Sequence, residues 1–139
     1  MRQSSNSQFA VLSNGLIIKF LNIVGIQPNT SNNGEYYVHT VTSQYYKINE
    51  NDYTYLKKIL SSNPTMFSVF ASGLIVRNDC IIGIQPTDKI GEYYVHTTTP
   101  QYYRIDTADY GQFIGKNFKY NANTSKFGTS DSSEPVETL

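Results

Sequence analysis

The sequence predicts an α+β protein in which a small antiparallel β-module occurs twice in tandem. Each module of four or five strands is followed by a short helix, and a polar C-terminal tail follows the second. The main observation is that residues 9–28 align without a gap with residues 67–86, and residues 34–53 with residues 91–110. The aligned segments are rich in Tyr, Val, Ile and Thr, which favour strands. Each repeat then ends in a segment that begins with a helix-capping residue.

This duplication divides the chain of 139 residues into four segments. We expect a polar N-terminal arm (1–8), a first β-module (9–63), a second β-module (64–120) and an extended or disordered tail (121–139). The tail is rich in Ser, Thr and Asn and has few residues that could enter a core, which is typical of disorder. A module of about 60 residues buries too little surface to be stable alone, so the two modules should pack together.

Each repeat opens with a predicted β-hairpin and a third strand. Apolar segments flank a turn that ends at Gly15 in the first repeat and at Gly73 in the second. Glycine can adopt the positive φ that such turns need. The segments NIVGIQP and CIIGIQP follow, and both end in a proline that cannot continue a central ladder. The glutamines before these prolines are expected to end the strand and satisfy backbone groups of the next loop.

The tyrosine-rich segments EYYVHT with QYYKI, and EYYVHT with QYYRI, predict a second hairpin in each repeat. Alternate side chains of a strand point to opposite faces, so the apolar members of each hairpin should pack against the helix. Glu35 and Glu92 are expected on the other face. That face is also predicted to carry the candidate interface or binding residues, namely Tyr37, His39, Tyr45, Lys47, Tyr94, His96, Tyr102 and Arg104.

A helix is predicted to follow each tyrosine-rich hairpin. Asn49 is a favourable N-cap, Asp52 lies at the capping-box position three residues later, and Pro64 stops the helix. The second repeat has Asp at both equivalent positions. Because Gly111 and Gly115 each cost about 1 kcal/mol relative to Ala, the second helix should be shorter or frayed.

Composition narrows the function classes. Eleven basic and eleven acidic residues leave no net charge, whereas proteins that neutralise phosphates usually carry a basic excess. The single cysteine, Cys80, excludes an internal disulfide and is predicted to be a small buried apolar residue. No apolar run is long enough to span a membrane, and the N-terminus does not resemble a signal peptide. We therefore expect a cytoplasmic protein, or a component of a particle assembled in the cytoplasm.

We expect no catalytic residues, no metal site and no cofactor, and hence no enzyme activity. Glu35 and His39 share a face but lie roughly 13 Å apart along an extended strand. His39 and His96 could meet only across an interface between repeats, and one cysteine provides no zinc spacing. The sequence contains no nucleophile motif and no phosphate-binding glycine loop.

Three interpretations of the tyrosine-rich faces follow. Tyrosine suits protein interfaces, and usage rich in Asn, Tyr, Ile and Lys without Trp fits an AT-rich genome of the kind many phages have. The first hypothesis is therefore that these faces are buried between the repeats or between subunits, in a non-enzymatic structural or adaptor protein of a larger assembly, with a phage virion component as the leading candidate. The alternative is a single-stranded nucleic-acid-binding protein that stacks bases on tyrosines and holds phosphates with Lys47 and Arg104. A small-ligand or glycan site is the third.

Overall fold

The computed structural model describes residues 8–117, which form an α+β fold, as predicted. Of the predicted terminal segments, the arm lies outside these residues except for Gln8, and the tail lies wholly outside them. The first repeat contains β1 (Phe9–Val11), β2 (Ile17–Lys19), a 3-10 turn (Phe20–Asn22), β3 (Ile23–Pro28), β4 (Glu35–Thr40), β5 (Tyr45–Asn49) and α1 (Glu50–Ser61). The second contains β6 (Phe67–Val69), β7 (Ile75–Arg77), a 3-10 turn (Asn78–Cys80), β8 (Ile81–Pro86), β9 (Glu92–Thr97), β10 (Tyr102–Asp106) and α2 (Thr107–Asn117).

The described strands form three antiparallel sheets whose boundaries differ from those of the sequence repeats. Their strand orders are β1-β2, β5-β4-β3-β7-β6 and β10-β9-β8. The hairpin β6-β7 of the second repeat pairs with β3 of the first, with Gly25 opposite Val76 and Ile26 opposite Ile75. The expectation that each repeat would keep its strands in one module is therefore corrected. Side-chain periodicity defines the faces of a strand, but it does not say which strand fills its second edge.

The main core lies on one face of the five-stranded sheet. Its buried residues come from the β1–β2 hairpin with its turn, the five-stranded sheet and α1, and each is at most 5% exposed. They are Ala10, Leu12, Ile18, Ile23, Ile26, Val38, Ile48, Tyr53, Leu56, Leu60, Phe67 and Ile75. At the edge of this core the rings of Tyr36 and Tyr53 stack at 3.8 Å. The inward direction predicted for Val38 and Ile48 is confirmed.

Helix α1 begins where the sequence predicts, although one capping detail differs. The Asn49 side chain accepts a hydrogen bond from the Asp52 amide at 2.8 Å, which confirms the N-cap. The Asp52 carboxylate, however, accepts from the amide and the hydroxyl of Ser13, at 3.0 and 2.9 Å. The expected capping box is thus replaced by a contact that ties the β1–β2 turn to the start of α1. Since the helix ends at Ser61, the predicted stop before Pro64 is confirmed.

The opposite face of the five-stranded sheet is covered at Gly25 by Tyr103 of β10. A Cβ atom added to Gly25 would lie 2.7 Å from Cζ of the Tyr103 ring. The ring is 1% exposed, and its hydroxyl has no hydrogen-bond partner among the described residues. The equivalent glycine of the second repeat, Gly83, has no atom within 4 Å of such a Cβ. The contact with Tyr103 therefore requires glycine at position 25, whereas no such contact requires it at the equivalent position 83.

The chain divides into two compact units after Thr107. The first unit contains all the strands described above and α1, and the second contains most of α2. Helix α2 has 11 residues and α1 has 12, so within the described range the second helix is one residue shorter. No helix within residues 8–117 is both long and apolar enough to cross a membrane.

Replacing Gly25 by alanine should destabilise the protein by about 1–3 kcal/mol, because the new methyl group would force the buried Tyr103 ring to move. The matched control is Gly83→Ala, which adds the same group in open space and should change stability by less than about 0.5 kcal/mol. Urea unfolding of both variants measures the difference. Equal effects at the two positions would show that the ring of Tyr103 does not constrain Gly25.

Two buried tyrosines should respond in opposite ways to loss of the hydroxyl. The Tyr53 hydroxyl donates to the carbonyl oxygen of Gly73, and burial raises its pKa to about 12. Tyr53→Phe should therefore cost about 1 kcal/mol, because that carbonyl loses its partner. Tyr103→Phe removes a buried hydroxyl that makes no hydrogen bond, so stability should stay unchanged or rise. Thermal unfolding of the two variants compares them directly, and a loss in Tyr103→Phe as large as that in Tyr53→Phe would contradict this interpretation.

Candidate functional site

Strand pairing brings the predicted site residues together into two clusters, one from each repeat. In the first, His39 lies opposite Tyr45 and Tyr37 opposite Lys47. The second repeat shows the same register, with His96 opposite Tyr102 and Tyr94 opposite Arg104. We call Tyr37, His39, Tyr45 and Lys47 the first Tyr face. We call Tyr94, His96, Tyr102 and Arg104 the second Tyr face.

Aromatic rings contact one another across the strands of each face. On the second Tyr face, the Tyr102 ring lies 5.1 Å from Tyr94 and 5.9 Å from His96. On the first Tyr face, the Tyr45 ring lies 5.7 Å from Tyr37 and 5.9 Å from His39. Cross-strand aromatic neighbours of this kind hold one another's orientation. Each face therefore presents a group of ordered rings, with its outermost tyrosine, Tyr45 or Tyr102, about half exposed.

The cation of each face lies beside a carboxylate. Arg104 Nε is 2.9 Å from Glu92 Oε2, and Lys47 Nζ is 3.9 Å from Glu35 Oε2. Both cationic side chains are well exposed, at 67% and 59%, so these ion pairs contribute little to stability. Each ion pair instead lowers the local net charge, because the carboxylate beside each face offsets the positive charge of its cation.

The loops after β3 and β8 hold these carboxylates in place. The Asn29 amide donates to Glu35 at 3.1 Å and to the Tyr37 hydroxyl at 3.3 Å. In the second repeat the Thr87 hydroxyl donates to Glu92 at 3.0 Å. An open pocket beside the second Tyr face is lined by Gln85, Pro86, Thr87, Asp88, Lys89, Glu92 and Tyr94. This pocket brings Lys89 close to the predicted residues of that face.

Two glutamines of the repeated GIQP segments orient the histidines. The Gln27 side-chain oxygen lies 3.1 Å from His39 Nε2, and that of Gln85 lies 2.9 Å from His96 Nε2. The sequence predicts that these glutamines end the strand and satisfy backbone groups of the next loop, and it does not predict their contacts with the histidines. The signal that could have identified them is their presence at matching positions of both repeats, one strand away from the histidine.

The two faces differ in how far the rest of the protein covers them. His39 lies with its ring 5.8 Å from that of Tyr103, and burial lowers the pKa of His39 below its usual value of 6.5. Tyr103 belongs to the three-stranded sheet, so that sheet covers part of the first Tyr face. At Gly83, next to His96, the second Tyr face is open. Around its histidine, the second Tyr face is therefore the more open of the two, whereas the outer tyrosines Tyr45 and Tyr102 are similarly exposed.

The remaining candidate groups are the possible metal ligands, the two histidines and the cysteine. No group of three His, Cys, Asp or Glu residues there could hold a metal ion. His39 and His96 belong to separate clusters. Cys80 is buried, as predicted, and its sulfur accepts hydrogen bonds from Arg77 at 3.3 and 3.4 Å.

Comparison with solved structures identifies a protein of similar fold. It is the LytTr DNA-binding domain of a methyl-accepting/DNA response regulator from Bacillus cereus. The TM-score is 0.58 at 12% sequence identity, and the match covers 79% of this chain and 96% of that domain. No protein-family model matches the chain, and no curated protein matches it. At this identity the likeness concerns the fold.

This comparison overturns the main functional hypothesis drawn from the sequence. A structural or adaptor role as a phage virion component was inferred from the tyrosine-rich faces and the neutral charge, and it is wrong. The structure of similar fold is described as a DNA-binding domain, and the match covers 96% of it. Tyrosine-rich faces suit protein interfaces and nucleic-acid stacking equally well, so composition could not separate the two.

The stability of the protein should fall as the pH drops below 6.5. Because burial lowers the pKa of His39 in the folded state, the unfolded chain takes up this proton first. The contribution of neutral His39 is therefore complete above pH 6.5 and is lost as the pH falls towards the pKa of the folded state. Urea midpoints between about pH 7.5 and pH 5.5 should show this loss. His39→Gln should flatten the dependence, whereas His96→Gln should retain it, and an unchanged pH profile in His39→Gln would contradict this assignment.

Proposed function

We propose that this chain binds DNA. The observation that carries the proposal is the shared fold with a DNA-binding domain, which the match covers over 96% of its length. The proposed function includes no enzyme activity, no cofactor and no metal ion, since DNA binding requires none of them. Fold alone does not identify the binding surface, so that surface has to be argued from side-chain geometry.

The second Tyr face is the proposed contact surface. Its rings of Tyr94 and Tyr102 are ordered by cross-strand contacts, and Tyr102 is 51% exposed. Aromatic rings on a sheet surface can stack on unpaired bases, with a contribution of about 1–3 kcal/mol per base. Arg104 is 67% exposed at the same edge and can reach a phosphate oxygen. This combination favours single-stranded DNA, or bases that have left the double helix.

The first Tyr face offers a second contact of the same kind at its outer edge. Tyr45 and Lys47 remain exposed there, while Tyr103 covers the face near His39. We interpret the sequence repeat as a tandem duplication that provides two similar contact edges in one chain. Two weak contacts on one strand would raise the affinity through their high effective concentration.

Electrostatics should keep the affinity moderate. The chain has no net charge, and Glu92 lies beside Arg104 where it repels a phosphate. Few counterions are then released on binding, so the affinity should decrease less steeply with salt than for a strongly basic domain. The contribution of base stacking is retained at higher salt, because it does not depend on charge.

Fluorescence anisotropy with single- and double-stranded oligonucleotides of one sequence tests the proposal at low and increasing salt. Tyr102→Ala should weaken binding roughly tenfold through loss of stacking. Arg104→Ala should weaken it and reduce the salt slope by roughly 0.7 to 0.9, as expected for one lost phosphate contact. Glu92→Gln should strengthen binding, because it removes the neighbouring negative charge and leaves Arg104 free.

Matched controls lie on α1, away from both faces. Tyr55→Ala removes a partly exposed tyrosine and Lys58→Ala an exposed cation, and neither should change the affinity. No binding to either oligonucleotide at low salt would reject DNA binding. Binding that responds equally to the control variants and to the Tyr102 and Arg104 variants would instead reject the second Tyr face as the contact surface.

A further inference from the structure

The pairing of β7 with β3 uses two strand edges whose equivalents in the other repeat pair with no described strand. Strand β7 of the second repeat pairs with β3 of the first. By sequence alignment β2 is the equivalent of β7, and β8 is the equivalent of β3. Among the described strands, β2 pairs only with β1, and β8 pairs only with β9. The edge that β7 uses is therefore open on β2, and the edge that β3 uses is open on β8.

Exposure of apolar side chains follows the same pattern. Ile17 of β2 is 58% exposed, whereas its equivalent in β7, Ile75, is fully buried. Ile82 of β8 is 67% exposed, whereas its equivalent in β3, Val24, is fully buried. Open strand edges with exposed apolar residues readily pair with another chain. Within residues 8–117, the neighbours that bury Ile75 and Val24 have no counterpart over Ile17 and Ile82.

We propose that β2 of one copy of this chain pairs antiparallel with β8 of a second copy, in the register of β7 on β3. The contact between Gly25 and Val76 then becomes one between Gly83 and the second copy's Ile18. The contact between Ile26 and Ile75 becomes one between Ile84 and the second copy's Ile17. We therefore expect a further copy of the chain at each open edge, because equivalent strands, β7 and β3, already pair in this way within one chain.

The space above β8 fits the same partner. Inside the chain, Tyr103 covers Gly25. Gly83 is open, and the repeat equivalent of Tyr103 is Tyr46, which packs against the main core of its own chain and keeps part of its side chain exposed. In the proposed contact the second copy's Tyr46 covers Gly83 as Tyr103 covers Gly25.

A side-chain contact across the internal pairing also has an equivalent at the proposed interface. Inside the chain, Arg77 donates to the carbonyl oxygen of Leu21 at 2.6 Å. The repeat equivalents of this pair are Lys19 and Asp79, and the Asp79 side chain is 76% exposed. In the same register the second copy's Lys19 meets the backbone carbonyl oxygen of Asp79, while the Asp79 carboxylate stays paired with Arg77 Nε of its own chain at 3.1 Å.

This contact joins two different surfaces, so it is heterologous and leaves both outer edges open for further copies. The exposed Tyr102 and Arg104 lie on β10, two strands from the edge of β8 that pairs. Self-association therefore requires no DNA, and the proposal does not rest on the proposed function.

The experiment measures the molar mass of the full chain in the absence of DNA, by light scattering over a range of concentrations. The wild-type mass should rise with concentration beyond that of a monomer. Ile17→Lys disables the β2 edge and Ile82→Lys the β8 edge, and each should weaken association about tenfold or more. Both side chains are exposed, so both variants should fold, which circular dichroism checks. Ile90→Lys replaces a fully exposed isoleucine away from both edges and should associate like the wild type.

Mixing the two edge variants distinguishes this geometry from others. Ile17→Lys retains an intact β8 edge and Ile82→Lys an intact β2 edge, so an equimolar mixture should form dimers that cannot extend. A wild-type chain that stays monomeric at every concentration would overturn the proposal. So would association that is unchanged in both variants, or a mixture that associates no better than either variant alone, since that result indicates a symmetric contact.

Discussion

The pairing of β3 with β7 is the constraint on which the rest of this structure depends. Strand β3 has neighbours on both edges, and its residues from Ile23 to Ile26 are buried. One of its faces contributes Ile23 and Ile26 to the core that α1 covers, and its other face is covered at Gly25 by the ring of Tyr103. Because β7 comes from the second repeat, this pairing joins the repeats through backbone hydrogen bonds. Tyr103 packs closely against Gly25, and this contact holds the three-stranded sheet against the five-stranded sheet.

This arrangement places two nearly identical sequence segments in different surroundings. His39 and His96 each contact a glutamine and a tyrosine of their own repeat. Only His39 is also covered by the following sheet, which buries it and lowers its pKa. Within residues 8–117 the second face lies at the end of the series, where no described sheet covers Gly83 of β8. The same end effect explains why Ile82 is exposed and Val24 is buried.

The chemistry of the two faces is that of ordered aromatic surfaces with locally balanced charge. Cross-strand contacts fix the rings, the loop residues Asn29 and Thr87 hold the carboxylates, and these carboxylates lie beside the only cation of each face. Such a surface offers flat rings and hydrogen-bonding hydroxyls but little net charge. It is consistent with a DNA contact in which stacking contributes more than phosphate neutralisation.

The sequence by itself determined the local structure. Alternation along EYYVHT and QYYRI predicted which side chains face inward, and Asn49 and Pro64 marked the ends of α1, because these features depend on backbone geometry and near neighbours. It also collected the residues of both Tyr faces, since a hairpin brings together residues close in sequence. Only the tertiary structure decided that β6 and β7 pair with β3, that Asp52 binds Ser13, and that Tyr103 covers Gly25 and His39. These contacts join residues far apart in the chain, and the two repeats carry the same pattern at each position. A repeated pattern cannot show which copy is covered, because that depends on which neighbour packs against it.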